Sequence, residues 1–186
     1  MTRRSAFLWM VWCAVGSSVA SGQNLVQLTD VTDASGLTFH HRFGDDNLSN
    51  IVEGSGSGAA LFDYDGDGWL DVYFVCGSWH KDINDTRGRK YRGKLSNRLF
   101  RNKQDGTFGD VTEHAGVGDP DNFGFGCSAA DYDGDGDLDL YVLNYQKNVL
   151  FRNNGDGTFT DVSAQSGLDN PDQLIDAKIL STDSYL

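Results

Sequence analysis

The chain has 186 residues, with 27 acidic against 15 basic side chains and a net charge of −12 at neutral pH. That length allows one ordinary domain, and the acidity excludes general nucleic-acid binding, which needs a basic footprint. Three cysteines exclude a disulfide scaffold, and 23 glycines beside two prolines speak for many tight turns.

The first element in chain order is a processing signal. "MTRR" is a short basic start, "AFLWMVWCAV" an apolar run, and "SSVASGQ" a small-residue stretch with cleavage expected after Ala20 or Gly22. The apolar run is too short to span a bilayer comfortably. Residues 1–22 are therefore read as a secretory signal peptide, which places the protein outside the cell or in a periplasm. No later stretch is apolar enough for a membrane span. Cleavage removes Arg3 and Arg4 and no acids, leaving 13 basic residues against 27 acidic ones, a balance of −14. Only Cys76 and Cys127 remain, and the sequence leaves open whether they pair or stay as free thiols.

Next comes a repeat. "NRLFRNKQDGTFGDVTEHAGV" at 97–117 matches "NVLFRNNGDGTFTDVSAQSGL" at 148–168, and "GSGAALFDYDGDGWLDVYFV" at 56–75 matches "GFGCSAADYDGDGDLDLYVL" at 124–143. The first copy carries an insertion around 79–94. A third, partial copy opens the mature chain, where "LTDVTDASGL" at 28–37 matches the end of each full copy.

Each full copy predicts four short strands. "GAALF" or "CSAA" is small and apolar, as a closely packed first strand would be. "LDVYFV" or "LDLYVL" is rich in β-branched and aromatic residues. "RLFRN" or "VLFRN" then turns through Asp-Gly into "TFGDV" or "TFTDV", and that dipeptide marks a hairpin because the turn needs positive φ. Four strands in roughly 50 residues describe a blade of a β-propeller. The expected fold is all-β, a partial propeller. Its region is 23–168, with a lone outer strand near 28–37, blades at 56–117 and 124–168, and a divergent tail at 169–186. Rings use about four to eight blades, so the order of these pieces predicts part of a longer protein. Assembly of several copies into one ring is the alternative.

The connections between the first two strands carry the chemistry. In "DYDGDGWLD", Asp63, Asp65 and Asp67 take positions 1, 3 and 5, the carbonyl of Trp69 takes 7, and Asp71 takes 9. In "DYDGDGDLD" the matching set is Asp131, Asp133, Asp135, the carbonyl of Asp137, and Asp139. Two unit charges about 4 Å apart repel by roughly 1 kcal/mol in water, so each loop calls for a cation. Ca²⁺ takes six to eight oxygens, while Mg²⁺ keeps more of its water. Oxygen donors without His or Cys disfavour zinc and copper. Gly66, Gly68, Gly134 and Gly136 permit the tight path. An EF-hand is excluded, because position 12 is Phe74 or Val142 inside a strand pattern rather than a bidentate Glu between helices. The expectation is two Ca²⁺ sites.

The pattern "GxGxAxxDYDGDGxxDLYV" followed by "LFRNNGDGTFTDVS" resembles the FG-GAP repeats of the VCBS and integrin-α-like superfamily. With "DVTxxAGV" it is most similar to repeats of the ASPIC and UnbV group, related to the cartilage acidic protein. The resemblance covers about residues 28–168. It implies a β-propeller whose Asp loops bind Ca²⁺, and it places the eight matched aspartates as ligands.

Two functions follow as expectations. The first is a secreted, calcium-stabilised module for protein or polysaccharide interaction and adhesion, without catalysis. Its anionic ligand would meet Lys81, Arg87, Arg89, Lys90, Arg92 and Lys94 in the loop 79–94, interleaved with Trp79, His80 and Tyr91. The alternative is the propeller portion of an extracellular polysaccharide-cleaving enzyme with structural calcium. For that, His40 and His41 would point to opposite faces of a strand, and Glu53 and Glu113 form no recognisable acid–base pair. The sequons at Asn47 and Asn84 matter only in a eukaryotic secretory pathway.

Overall fold

A computed structural model describes residues 26–44, 51–55, 57–84 and 86–168. The signal-peptide reading, the Asn47 sequon and the tail 169–186 lie outside these residues. The chain divides into two units, Met1–Asp30 and Val31–Leu186. In the first, residues 26–30 adopt no regular element and are exposed. All strands and helical turns among the described residues belong to the second.

Eight strands form two antiparallel sheets. The first sheet holds β1 (Ala59–Phe62), β2 (Asp71–Phe74), β3 (Arg98–Asn102) and β4 (Phe108–Asp110). The second holds β5 (Gly124–Ala130), β6 (Asp139–Asn144), β7 (Val149–Asn153) and β8 (Phe159–Asp161). Both follow chain order, so each repeat is its own four-stranded meander. Register fixes where the acidic loops fall. Phe62 lies opposite Asp71 and Ala130 opposite Asp139, so each loop closes the hairpin between the first two strands of its sheet. The Asp-Gly turns are also where the pattern put them. Lys103 N–H bonds Thr107 O and Asn154 N–H bonds Thr158 O, with Gly106 and Gly157 at φ of 86° and 84°.

Single helical turns follow the outer strands: α2 (Thr112–Ala115) after β4 and α3 (Ser163–Ser166) after β8. Side-chain chemistry explains them. Asp110 Oδ1 accepts from both the N–H and the hydroxyl of Thr112, and Asp161 does the same for Ser163. Those hydroxyls accept from Leu99 N–H and Leu150 N–H, extending the ladder by a side chain where the backbone has begun to coil. A left-handed glycine then ends each turn, Gly116 at 77° and Gly167 at 69°.

The third copy corrects the expectation of a strand near 28–37. Thr32–Ser35 is another helical turn, α1, closed by Gly36 at 76°, and residues 26–31 join no sheet. Local bonds close the turn, Ser35 N–H to Val31 O and Ser35 Oγ to Thr32 O. A strand before it needs a third strand beside it, and β3 and β7 already hold β4 and β8.

The core gathers side chains from both sheets, among them Phe62, Tyr73, Leu99, Leu140, Phe151 and Phe159. Tyr73 is fully buried and donates its hydroxyl to Val117 O. The two sheets meet along β1 and β5, and glycine sets how closely. A Cβ on Gly58 would stand 2.6 Å from Gly126 Cα, and one on Gly124 would stand 2.2 Å from Val75 Cγ1. The small residues read as a close-packed first strand have this cause.

Cys76 and Cys127 are free thiols. Burial pushes both up, Cys127 to about 11. The insertion contains a 3-10 helix, Thr86–Tyr91, whose basic side chains face solvent, and Arg42 and Lys90 both lie over the Tyr91 ring. Asn84 is buried. Its amide donates to Phe43 O and Glu53 Oε1 and accepts from His80 N–H, so this sequon presents no free side chain.

Candidate metal centres in two acidic loops

Four glycines at positive φ give the loops their path: Gly66 at 70°, Gly68 at 87°, Gly134 at 80° and Gly136 at 98°. None of them would press a Cβ against a neighbour, so conformation rather than space demands glycine here. The first aspartate folds each loop back over itself. Asp63 accepts from Asp67 N–H and Gly68 N–H, and Asp131 accepts from Gly134 N–H and Gly136 N–H.

The ninth position is built differently. Asp71 and Asp139 are buried, and each carboxylate bridges its loop to the third strand. Asp71 accepts from Tyr64 N–H at 3.1 Å and Asn102 N–H at 2.7 Å, and Asp139 from Tyr132 N–H at 2.9 Å and Asn153 N–H at 2.8 Å. Burial pushes the Asp71 carboxyl up. The two backbone donors oppose this, and the charges of Asp65 and Asp67 add to it. Asn102 and Asn153 also donate their amides to Leu70 O and Leu138 O, closing each loop from the far side. Asn153 donates further to Tyr64 O, tying the second sheet to the first loop. These asparagines end both copies of "LFRN". The repeated tetrapeptide was visible in the sequence, but the role of its asparagine as a clamp was not.

The loops bring together three of the matched carboxylates each. Oxygens of Asp63, Asp65 and Asp71 lie within 4.8 Å of one another, and so do those of Asp131, Asp133 and Asp139. Asp67 and Asp135 stand outside these clusters. Asp67 Oδ1 accepts from Trp69 N–H and its Oδ2 from Arg101 Nη2 and Gln104 Nε2. The Trp69 N–H leads in holding this carboxyl below the usual carboxylate range, with Gln104 and Arg101 assisting. Asp135 Oδ1 accepts from Asp137 N–H.

The donor set fits a hard divalent cation: oxygen only, three carboxylates converging, and no His or Cys within the clusters. A single atom makes the fit specific. Asp65 Oδ2 takes the guanidinium of Arg101 at 2.6 Å, while Asp65 Oδ1 is buried and accepts no hydrogen bond among the described residues. A buried carboxylate oxygen without a donor is costly, and a cation among the three carboxylates would satisfy it. His40 and His41 take no part in these clusters.

Among curated proteins, none matches this chain. The family description FG-GAP-like repeat matches residues 63–142 and again 131–177, each stretch opening on the first aspartate of an acidic loop. The two stretches together cover more than half of the chain, which belongs to the FG-GAP-like repeat family.

Proposed function

We propose that this chain is a secreted calcium-binding interaction module, part of a β-propeller of the ASPIC and UnbV kind, in which metal has a structural rather than chemical role. FG-GAP repeats are found in adhesion and extracellular proteins, and that setting agrees with the signal-peptide reading. The observation that carries the proposal is the twinned convergence of three carboxylates at the same place in two repeats. In the proposed state Asp63, Asp65 and Asp71 hold one Ca²⁺, and Asp131, Asp133 and Asp139 hold the second. The carbonyls of Trp69 and Asp137 and the carboxylates of Asp67 and Asp135 complete the proposed shells. The ion replaces carboxylate repulsion with coordination and pins the hairpin.

Recognition is proposed to lie elsewhere on the surface. Lys81, Arg87, Arg89, Lys90, Arg92 and Lys94 are all exposed. They make a basic, aromatic-bearing face on an acidic protein, suited to a sulfated or uronic polysaccharide or an acidic protein. In this reading the module binds its ligand and does not cleave it.

Thermal melts with calcium, magnesium and chelator test the metal reading. Ligand at a hundredfold excess over its dissociation constant stabilises by about 2.7 kcal/mol per site, so calcium should raise Tm by several degrees and magnesium by much less. A cooperative melt indifferent to calcium would sink it.

A further inference from the structure

The two loops share their spacing but not their surroundings. Arg101 in β3 spans the first loop, with Nε 2.6 Å from Asp65 Oδ2 and Nη2 3.1 Å from Asp67 Oδ2. Arg152 stands at the same register in β7, yet its side chain makes no ion pair or hydrogen bond among the described residues. Gln104 adds a second hold on Asp67, Nε2 to Oδ2 at 3.2 Å. It does so from a left-handed conformation, φ 65°, that a non-glycine residue adopts at a cost. The second copy has Gly155 there, at φ 72°. That glycine leaves room for another acid, since a Cβ on it would stand 2.7 Å from Asp137 Oδ2. Asp137 in turn replaces Trp69.

Each difference acts in one direction. The first loop has four carboxylates, two of them held by an internal cation and one of those again by an amide. The second loop has five, and no side-chain donor engages Asp135 among the described residues. We infer that the loops are unequal cation sites, the second binding a divalent ion more tightly, and that Arg101 and Gln104 weaken the first by holding Asp65 and Asp67. This rests on the metal reading above. Arg101 stands in for part of the missing positive charge, so the first hairpin is partly neutralised without metal and an entering ion must compete with the guanidinium. The second hairpin has no such substitute.

Calorimetric titration of the full chain with CaCl₂ tests this. Two steps are expected, differing by about tenfold or more, the effect of one unit charge at contact distance between the water and protein-surface limits. D131N should remove the tighter step and D63N the weaker. R101Q/Q104G, which keeps every acid and so guards against misfolded acid variants, should tighten the weaker step roughly tenfold. Equal affinities, loss of the tighter step in D63N, or an unchanged or weakened step in R101Q/Q104G would each overturn the inference while leaving calcium binding intact. Absence of any calcium heat from the unaltered chain would overturn the calcium reading itself and this inference with it.

Discussion

Asp139 and Asp133 sit in one acidic loop and converge on one point, yet their environments assign them different work. Asp139 is buried and satisfies two backbone donors, Tyr132 N–H and Asn153 N–H. Asp133 is exposed and, among the described residues, accepts only from Asp135 N–H at 3.3 Å. Leaving two donors unpaired costs about 2–6 kcal/mol, so Asp139→Ala should lose that much stability even in chelator. Asp133→Ala should change metal-free stability by no more than about 0.5 kcal/mol and diminish the calcium increment. Urea unfolding with and without calcium separates the two, and equal losses in chelator would contradict the division. A second residue-scale test uses the Asp-Gly hairpin. Asp156 Oδ1 accepts from the hydroxyl and N–H of Thr158, and these bonds hold its carboxyl below the ordinary value of 3.8. A depressed carboxylate contributes stability that is complete above 3.8 and is lost as pH falls through the lower folded value. Thr158→Val should therefore lower Tm at pH 7, with a gap that narrows below that value. The pH-independent part, from Asn154 Nδ2 to Thr158 Oγ1, should remain. A gap constant from pH 7 to 3 would show that Asp156 carries none of it.

Among the elements, the inner strands β1 and β5 have the least freedom. Gly58 faces the backbone of Gly126 at a distance that no Cβ tolerates, whereas a Cβ on Gly126 would meet only Leu143 Cδ1 at 3.7 Å, an ordinary contact. Gly58→Ala should cost about 1–3 kcal/mol through overpacking, and Gly126→Ala much less. Denaturant midpoints measure both, and comparable losses would place the effect in strand propensity instead. The strands themselves were legible because local signals and tertiary partners agree: β3 and β7 run over the residues the repeat predicts, with Asp-Gly turns between hydrophobic runs. The opening copy was legible only in part. Its "DVTDASGL" carries the turn signals that coil Thr32–Ser35 and stop at Gly36, but pairing depends on a neighbour that sequence similarity does not supply. The helical turns after β4 and β8 were missed for a related reason. "DVT" and "DVS" read as strand ends, while the aspartate-to-hydroxyl bond that bends them is a side-chain interaction without periodicity.

For the molecule as a whole, nine of the 27 acidic residues lie in the two acidic loops. The matched spacing of the acidic loops was readable, and so was the need for positive φ. What could not be read is that identical arginines, Arg101 and Arg152, differ in their engagement, because that depends on how the side chains cross from the third strand to the loop. With a net charge of −12, the metal-free chain carries repulsion that the salt of the medium can screen. The Debye length falls from about 30 Å at 0.01 M to about 10 Å at 0.1 M. Added salt should therefore raise the melting temperature of the metal-free chain. Two bound calcium ions would cancel four of those charges where carboxylates are densest, so the calcium-loaded chain should gain less from the same salt. Melts in chelator and in calcium across that salt range give two slopes to compare. A steeper slope in chelator locates the repulsion in the acidic loops. Equal slopes would mean that it is spread over the surface and that the loops are already neutralised by their own hydrogen bonds and by Arg101.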